Sequence, residues 1–374
     1  MRVLQGHSLE INAEQAVEEA VRGWDDTPEI IFIFSSTKQD PQVIADLLAK
    51  KFPDVPMAGC TTSGEHLSGE HYNGALVIAG LCDTGIQWQT ALIQGLGDYN
   101  DERAEQTANE LFDGLGVDSE TLEPHNFFCL LFIDGLCMKE EKVTAILADA
   151  IEGIALAGGS AGDDLAFKRT EVYYNGGSYN DAATVVMGKK INANVQIVKH
   201  QHFVTTPRSL VITKADPETR TVFEMDGYPA IEAYSAALGV PVEELTDELS
   251  FLHPVTFSCN DEIYVRSIQK LNEDGSITFY CGIEEGMVLE IAGHKVMKDA
   301  LVEALEPLGQ PDFILGFNCI LRALEANEGD THQQLGKVFN GCTSAMIGFD
   351  TYGEQLNGLH INQTLVAVAF QHNA

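Results

Sequence analysis

The sequence places two histidines, two positions apart, where they could do chemistry. They stand in Lys199-His200-Gln201-His202, at the end of the strand-like run VQIVKHQHF. If the strand continues through this run, His200 and His202 point to one face, because side chains alternate along a strand. Two imidazoles on one face can ligate a metal, and a single imidazole can hold a haem iron. The alternative interpretation is an exposed polar strand end.

A zinc or iron enzyme would need a third protein ligand beside this pair. His253 and His294 are available, but neither stands at a recognisable ligand spacing. A metalloenzyme is therefore not predicted. The other histidines are scattered and are interpreted as polar surface residues: His7, His66, His71, His125, His332, His360 and His372.

Two further residues could act as nucleophiles. Ser160 lies in GGSAG, which matches the GxSxG elbow, but that motif needs a helix after the serine. The sequence that follows, DDLAFKRTEVYY, is typical of a loop and a strand. Cys60 lies in AGCTTSGE, and no neighbouring residue supplies the base that a catalytic thiol requires. We therefore expect that the protein is not an enzyme.

An internal repeat organises the chain. A buried strand, an amphipathic helix, a strand with a Gly-rich turn and further strands recur in three copies. In the first copy the helix DPQVIADLLAKKF (40–52) has Asp40 as its N-cap and Pro41 at its first position. The first strand of each copy is EIIFIFS (29–35), NFFCLLFIDG (126–135) or DFILGFNCI (312–320). This order predicts a mixed α/β fold.

The turns of copies one and three share a Gly-Glu pair. It is Gly64-Glu65 in one and Gly353-Glu354 in the other, whereas copy two carries Asp163-Asp164. Backbone N–H groups of such turns can bind a carboxylate or a phosphate. Turn geometry alone would also account for the glycines.

Composition excludes several classes of partner. The 374 residues contain 56 Asp and Glu against 22 Lys and Arg, a formal net charge of -34, which repels nucleic acid and anionic lipid. The longest apolar run, residues 127–133, is far short of the roughly 20 residues of a membrane helix. The N-terminus lacks a signal peptide and the eight cysteines form no CxxC pair. We expect a cytoplasmic protein without membrane or nucleic-acid partners.

Three stretches resemble a known family. IIFIFSS…ADLLAKKFPDVPMAGCTTSGE resembles the N-terminal FIST domain, and LVITKADPETRTVFEMDGYPAIEAY resembles its junction with the C-terminal FIST domain. IGFDTYGEQ…HINQTLVAVAF resembles the end of the C-terminal domain. The resemblance runs from about residue 25 to residue 370. It implies an N-terminal sensory domain at 25–220 and a FIST C domain at 221–370, packed together.

The resemblance also implies a function in ligand sensing. The chain is similar to NosP-type haem proteins, which implies haem b held by His200 or His202 and nitric oxide as the signal. The partner would be a histidine kinase or a cyclic-di-GMP enzyme, and a homo-oligomer is left open. The alternative is a FIST sensor of a small organic ligand such as an amino acid, without haem. Its ligand would be bound around the Gly-rich turns, at Gly59, Cys60, Gly64, Glu65, Tyr352, Gly353 and Glu354.

The haem hypothesis predicts a specific mutant phenotype. Replacing both His200 and His202 by Ala should abolish haem loading, because no proximal imidazole would remain. The measurement is the Soret absorption of protein purified with haem supplied, before and after reduction and addition of nitric oxide. Full haem loading of the double variant would contradict the assignment.

Overall fold

In the computed structural model, residues 1–118, 121–259, 262–327 and 329–373 are described. The chain forms two compact units. Unit 1 contains Met1–His200, Leu301–His360 and Leu365–Ala374, and unit 2 contains Gln201–Ala300 and Ile361–Thr364. The third copy of the repeat thus belongs to unit 1. The division in space differs from the division of the sequence at residue 220.

The mixed α/β fold predicted from the repeat is confirmed, and the first two copies have the same order of elements. Copy one contains β1 (Arg2–Ser8), α1 (Ala13–Ala20), β2 (Ile30–Ser36), α2 (Pro41–Lys51), β3 (Met57–Thr62), β4 (Glu65–Leu67), β5 (Glu70–Tyr72) and β6 (Leu76–Cys82). Copy two contains β7 (Ile86–Gln94), α3 (Asp101–Gly114), β8 (Phe127–Ile133), α4 (Glu140–Ala150), β9 (Leu156–Ser160), β10 (Val172–Tyr174), β11 (Gly177–Tyr179) and β12 (Ala182–Lys190).

Copy three begins with β13 (Ala193–His200) and is then interrupted by unit 2. The inserted elements are β14 (Phe203–Asp216), β15 (Thr221–Met225), β16 (Tyr228–Pro229), α5 (Ala230–Leu238), α6 (Asp247–Leu252), β17 (Val255–Cys259), β18 (Glu262–Arg266), β19 (Ile268–Leu271), β20 (Ile277–Phe279) and β21 (Val288–His294). Helix α7 (Met297–Leu305) begins in unit 2 and ends in unit 1. Copy three resumes with β22 (Phe313–Cys319), α8 (Ile320–Ala326), α9 (Thr331–Cys342), β23 (Met346–Thr351), β24 (Glu354–Leu356), β25 (Leu359–Ile361) and β26 (Leu365–His372).

Each copy builds a sheet with the same strand order. The orders are β1-β6-β2-β3, β7-β12-β8-β9 and β13-β26-β22-β23. In each sheet the last two strands are parallel, as the helical crossover between them requires. In unit 2 the described strands pair antiparallel in the order β18-β17-β21-β14-β15-β20-β19, and β16 also pairs with β15.

The copies are joined by an exchange of hairpins. The hairpin β4–β5 of copy one pairs with β23 of copy three, and β24–β25 of copy three pairs with β9 of copy two. The hairpin β10–β11 of copy two pairs in turn with β3 of copy one. The exchange closes a cycle, so each sheet is completed by residues from another copy.

Aromatic side chains from the three sheets meet in one core. Phe34 of β2 lies 4.6 Å from Phe349 of β23 and 6.0 Å from Phe132 of β8, between ring centroids. Phe132 lies 5.8 Å from Phe317 of β22. All four side chains are buried. This core explains why β2, β8 and β22 are apolar on both faces.

Helix α2 begins where the sequence predicts. The Asp40 carboxylate accepts hydrogen bonds from the backbone N–H groups of Gln42 and Val43, at 3.0 and 3.1 Å. Ile44 and Leu48 are buried against the first sheet. Among the residues that the structure describes, no helix has both the length and the apolar composition to cross a membrane.

Gly59 is required by close packing within the first sheet. Its φ is +147°, and a Cβ there would lie 1.9 Å from the carbonyl oxygen of Ile33 on the neighbouring strand. Gly59→Ala should lower the free energy of unfolding by about 3 kcal/mol or more, because backbone atoms must move apart. Chemical denaturation measures this change.

Gly341→Ala is the matched control for this prediction. Gly341 lies in α9, and a Cβ added there would meet no atom within 4 Å. The substitution should leave stability unchanged or raise it by up to about 1 kcal/mol, because alanine favours a helix. Equal effects at the two positions would contradict the packing argument.

Candidate functional site

After β3 the chain turns into β4, which pairs with a strand of another sheet. We call such a turn a crossing turn, and a buried carboxyl group stabilises it. Glu65 is bonded by the hydroxyl of Thr62 and by the backbone N–H of Ala75, the latter at 2.8 Å. Gly64, which precedes Glu65, has a φ of +152°, a conformation that favours glycine. Burial raises the pKa of Glu65 to about 8 in spite of both hydrogen bonds. Glu65 is therefore largely protonated at neutral pH.

The turn after β23 repeats this arrangement. The Thr351 hydroxyl donates to the Glu354 carboxylate at 2.5 Å, and Gly353 has φ +148°. Both Gly353 and Glu354 are buried. In both crossing turns the glycine thus allows the backbone conformation and the glutamate bonds to the preceding threonine.

Most of the predicted ligand residues lie inside the protein. Gly59, Cys60, Gly64, Glu65, Gly353 and Glu354 are buried, whereas Tyr352 is half-buried. Burial raises the pKa of the Cys60 thiol well above its ordinary value, which disfavours the reactive thiolate. Tyr352 contacts Asp163, one of the residues that line a surface cleft.

The segment after β9, residues 163–171, forms a loop organised by Asp163. The Asp163 carboxylate accepts backbone N–H groups from Phe167, Lys168 and Arg169, at 2.8, 2.6 and 3.0 Å. It also accepts the hydroxyl of Tyr352 at 2.6 Å. We call residues 163–171 the copy-two loop. Its shape depends on one buried carboxylate.

The copy-two loop borders a surface cleft of about 620 Å³. Lys168 and Arg169 are exposed on one wall, and Thr37 and Thr61 belong to the lining. Glu171 pairs with Arg169, with 2.6 Å between the carboxylate oxygen and Nε. The cleft therefore presents side chains of both charges.

The copy-two loop is strained and carries exposed apolar groups. Asp164, Leu165 and Phe167 have φ values of +55°, +63° and +50°, a region that non-glycine residues rarely occupy. Phe167 is 52% exposed, and its ring stacks on Tyr352 at a centroid distance of 5.0 Å. Strained backbone and exposed aromatic groups are typical of sites that bind ligands.

Ser160 does not have the surroundings of a nucleophile elbow. It is the last residue of β9, it is buried, and its hydroxyl oxygen accepts a hydrogen bond from Gln355 Nε2 at 2.8 Å. Residues 161–171 then form turns and irregular chain up to β10 rather than a helix. The loop predicted after Ser160 is confirmed.

The strand predicted through His200 and His202 is interrupted. β13 ends at His200, which is paired with Leu365, and β14 begins at Phe203. The two histidines belong to different compact units, so strand alternation does not place them on one face. Both are buried, with exposed fractions of 2% and 1%.

Sequence reasoning missed a cluster of histidines at the β4–β5 hairpin. His66 and His71 are cross-strand partners, and their Nε2 atoms contact the two oxygens of Asp350 at 2.8 and 2.7 Å. His332 stacks on His71 at a centroid distance of 4.1 Å. We call His66, His71, His332 and Asp350 the histidine cluster.

The surface interpretation of these histidines is wrong. The side chains of His66 and His71 are only 15% and 11% exposed, and His360 is also buried. The sequence HLSGEH does signal a hairpin with its two histidines opposite each other. No local signal connects this hairpin to Asp350, because the exchange of hairpins brings that residue from the third copy.

Neighbouring side chains stabilise the ionised form of Asp350. Burial alone would raise its pKa, but His66 and His71 keep the pKa below the ordinary value. Asn318 also donates to Asp350 Oδ1 at 2.7 Å. Burial, followed by the nearby imidazoles of His71 and His66, lowers the pKa of His332 to about 4. His332 is therefore neutral at physiological pH.

The pKa of Glu65 predicts a dependence of stability on pH. Between its ordinary pKa of 4.5 and the folded value of about 8, the folded state keeps a proton that the unfolded state loses. Stability therefore falls as pH rises through this window, by up to about 1.4 kcal/mol per pH unit. Glu65→Gln imitates the protonated form and should remove this contribution. Urea denaturation from pH 5 to pH 8 measures both slopes, and identical slopes would contradict the buried protonated carboxyl.

Comparison with known protein families places the whole arrangement in one family. The family model of the FIST N domain matches residues 29–228, and that of the FIST C domain matches residues 230–357. A search of curated proteins found no match. FIST domains are sensor domains of signal transduction. The chain belongs to the FIST family.

Proposed function

We propose that this FIST protein senses a small organic ligand that carries a carboxylate, such as an amino acid, in the cleft beside the copy-two loop. The observation that carries this proposal is the conformation of that loop. One buried carboxylate, Asp163, holds a strained segment that presents Lys168 and Arg169 at the cleft.

The charges at the cleft favour a carboxylate with a second polar group. In a chain of net charge -34, two adjacent exposed cations form a local site for an anion. A guanidinium binds a carboxylate through two parallel hydrogen bonds. Glu171, which now pairs with Arg169, would be released to receive an ammonium group. An amino acid carries both groups.

Ligand binding would change the copy-two loop. A carboxylate that competes with Glu171 for Arg169 alters the contacts of a segment whose backbone is already strained. Phe167 and Leu165 on the same segment are exposed, and their displacement would alter the surface offered to a signalling partner. We propose a histidine kinase or a cyclic-di-GMP enzyme as that partner, and binding rather than catalysis as the role of the chain.

Haem sensing of nitric oxide is the competing hypothesis. It requires space for a porphyrin beside an imidazole. The cleft at the copy-two loop and the cavity at the histidine cluster are lined by residues other than His200 and His202. These two cavities therefore do not supply a haem pocket for those histidines. Haem binding stays a prediction from family resemblance.

The ligand proposal predicts a loss of binding when the two cations are removed. In haem-free protein, one or more amino acids from a panel should raise the melting temperature. The double variant Lys168→Ala/Arg169→Ala should bind that ligand at least about tenfold more weakly, since a hydrogen bond to a charged group contributes about 1.5–3 kcal/mol. Isothermal titration calorimetry measures the affinities.

Lys50→Ala/Lys51→Ala is the matched control, because it removes the same charge at the end of α2. It should bind the ligand with unchanged affinity. An equal loss in both double variants would mean that net charge, not the cleft, sets the affinity. Absence of any thermal shift across the panel would contradict the proposal.

A further inference from the structure

Three metal-binding atoms converge in the histidine cluster, away from the copy-two loop. The Nε2 atoms of His66 and His71 and a carboxylate oxygen of Asp350 all lie within 4.8 Å of one another. β4 and β5 carry the histidines and β23 carries the aspartate, so three strands of one sheet fix the set. Ligands on rigid strands give a defined geometry.

The close approach of these atoms depends on a glycine. A Cβ on Gly64 would lie 2.2 Å from Asp350 Oδ2 and 2.9 Å from His71 Nε2. The space in front of the carboxylate is therefore open only because residue 64 has no side chain. Gly64 also belongs to the crossing turn, so both the turn and the histidine cluster require glycine at this position.

Neighbouring side chains orient the three residues. Asn318 Nδ2 donates to Asp350 Oδ1 at 2.7 Å, and Arg322 Nε donates to Asn318 Oδ1 at 3.0 Å. The ring of His332 lies parallel to that of His71, with an angle of 7° between the planes. Residues that hold metal ligands in this way raise metal affinity.

The cluster borders a small cavity of about 30 Å³. A single water needs about 10–15 Å³ on this measure, so the space accepts an ion with a water or another small ligand. The polar part of its lining is formed by His66, His71, Asn318, Arg322 and His332, and the apolar part includes Phe339 and Met346. A metal held by three protein atoms would have one position free toward this cavity.

We propose that His66, His71 and Asp350 bind one divalent transition-metal ion, with zinc as the first candidate. Two imidazole nitrogens and one carboxylate oxygen suit zinc, which binds such ligands at about 2.0–2.2 Å and in open sites keeps a fourth position for water or a ligand. This inference is independent of the proposed amino-acid site and of the haem hypothesis.

Binding would replace the present hydrogen bonds. The Nε2 atoms now lie 2.8 and 2.7 Å from the Asp350 oxygens, whereas neighbouring ligands of a tetrahedral zinc are about 3.3 Å apart. The rings would therefore retreat by about half an ångström. Each neutral ring would coordinate through Nε2 with its proton on Nδ1, and any extra proton would pass to solvent. The strongly acidic chain, at net charge -34, attracts the cation.

Metal binding by the untagged 374-residue chain tests the proposal. Protein stripped with a chelator and supplied with Zn²⁺ should keep one equivalent after desalting, and Co²⁺ should give the visible absorption bands of a low-coordinate site. The double variant His66→Asn/His71→Asn should bind Zn²⁺ at least about 100-fold more weakly in competition with a chromophoric chelator, because it loses two ligands rather than an orienting residue.

Two further variants keep the result interpretable. Asn318→Ala leaves all three ligands in place and should weaken binding by about 10–100-fold. His125→Asn alters an exposed histidine and should keep full affinity. The metal-free melting temperature of each variant reports whether it folds. Less than a tenth of an equivalent on the wild-type protein, or full binding by a folded double variant, would overturn the proposal.

Discussion

The crossing turn after β3 and β23 is the constraint on which unit 1 depends. At each turn the chain leaves its own sheet and pairs with the sheet of another copy. The turn must fit between packed strands, which leaves no room for a side chain at Gly64 or Gly353. It must also bury its polar groups, and a threonine hydroxyl bonded to a glutamate meets this need. Without these turns two of the three sheets would lack their outer hairpins, β4–β5 and β24–β25.

The repeat places two candidate sites at corresponding positions. The cleft lies where β3 meets the hairpin β10–β11, and the histidine cluster lies where β23 meets the hairpin β4–β5. Thr61 precedes Thr62, the last residue of β3, and Asp350 precedes Thr351, the last residue of β23. The two residues therefore occupy equivalent positions. At the third junction, Gln355 bonds to Ser160 and contacts His360. One scaffold position thus carries different chemistry in each copy.

The fold was largely predictable from the sequence, because its signals are local. Alternation, apolar runs and the Asp40 cap are each properties of a few neighbouring residues, and they identified the strands, helices and repeat. The boundary between the two units was harder to predict from the sequence. An insertion of about a hundred residues separates β13 from the later strands of the same sheet.

The candidate sites were harder to predict, because they depend on pairings between distant residues. Tyr352 was singled out from its turn, but its bond to Asp163 crosses between copies. His66 and His71 were dismissed since Asp350, which completes the cluster, is remote in sequence. For His200 and His202, the error was to extend a strand over a point where the chain passes into another unit.

The cyclic exchange of hairpins also bears on how the protein is made. During synthesis, β4 and β5 emerge long before β23, to which β4 must pair, because about 280 residues separate His66 from Gly348. Until then the N-terminal copy presents an incomplete sheet with exposed edges, which are prone to non-native pairing. Contacts of such long sequence separation slow folding. The segment that matches the FIST N domain, residues 29–228, lacks β23 and β24, the strands that pair with β4 and β9.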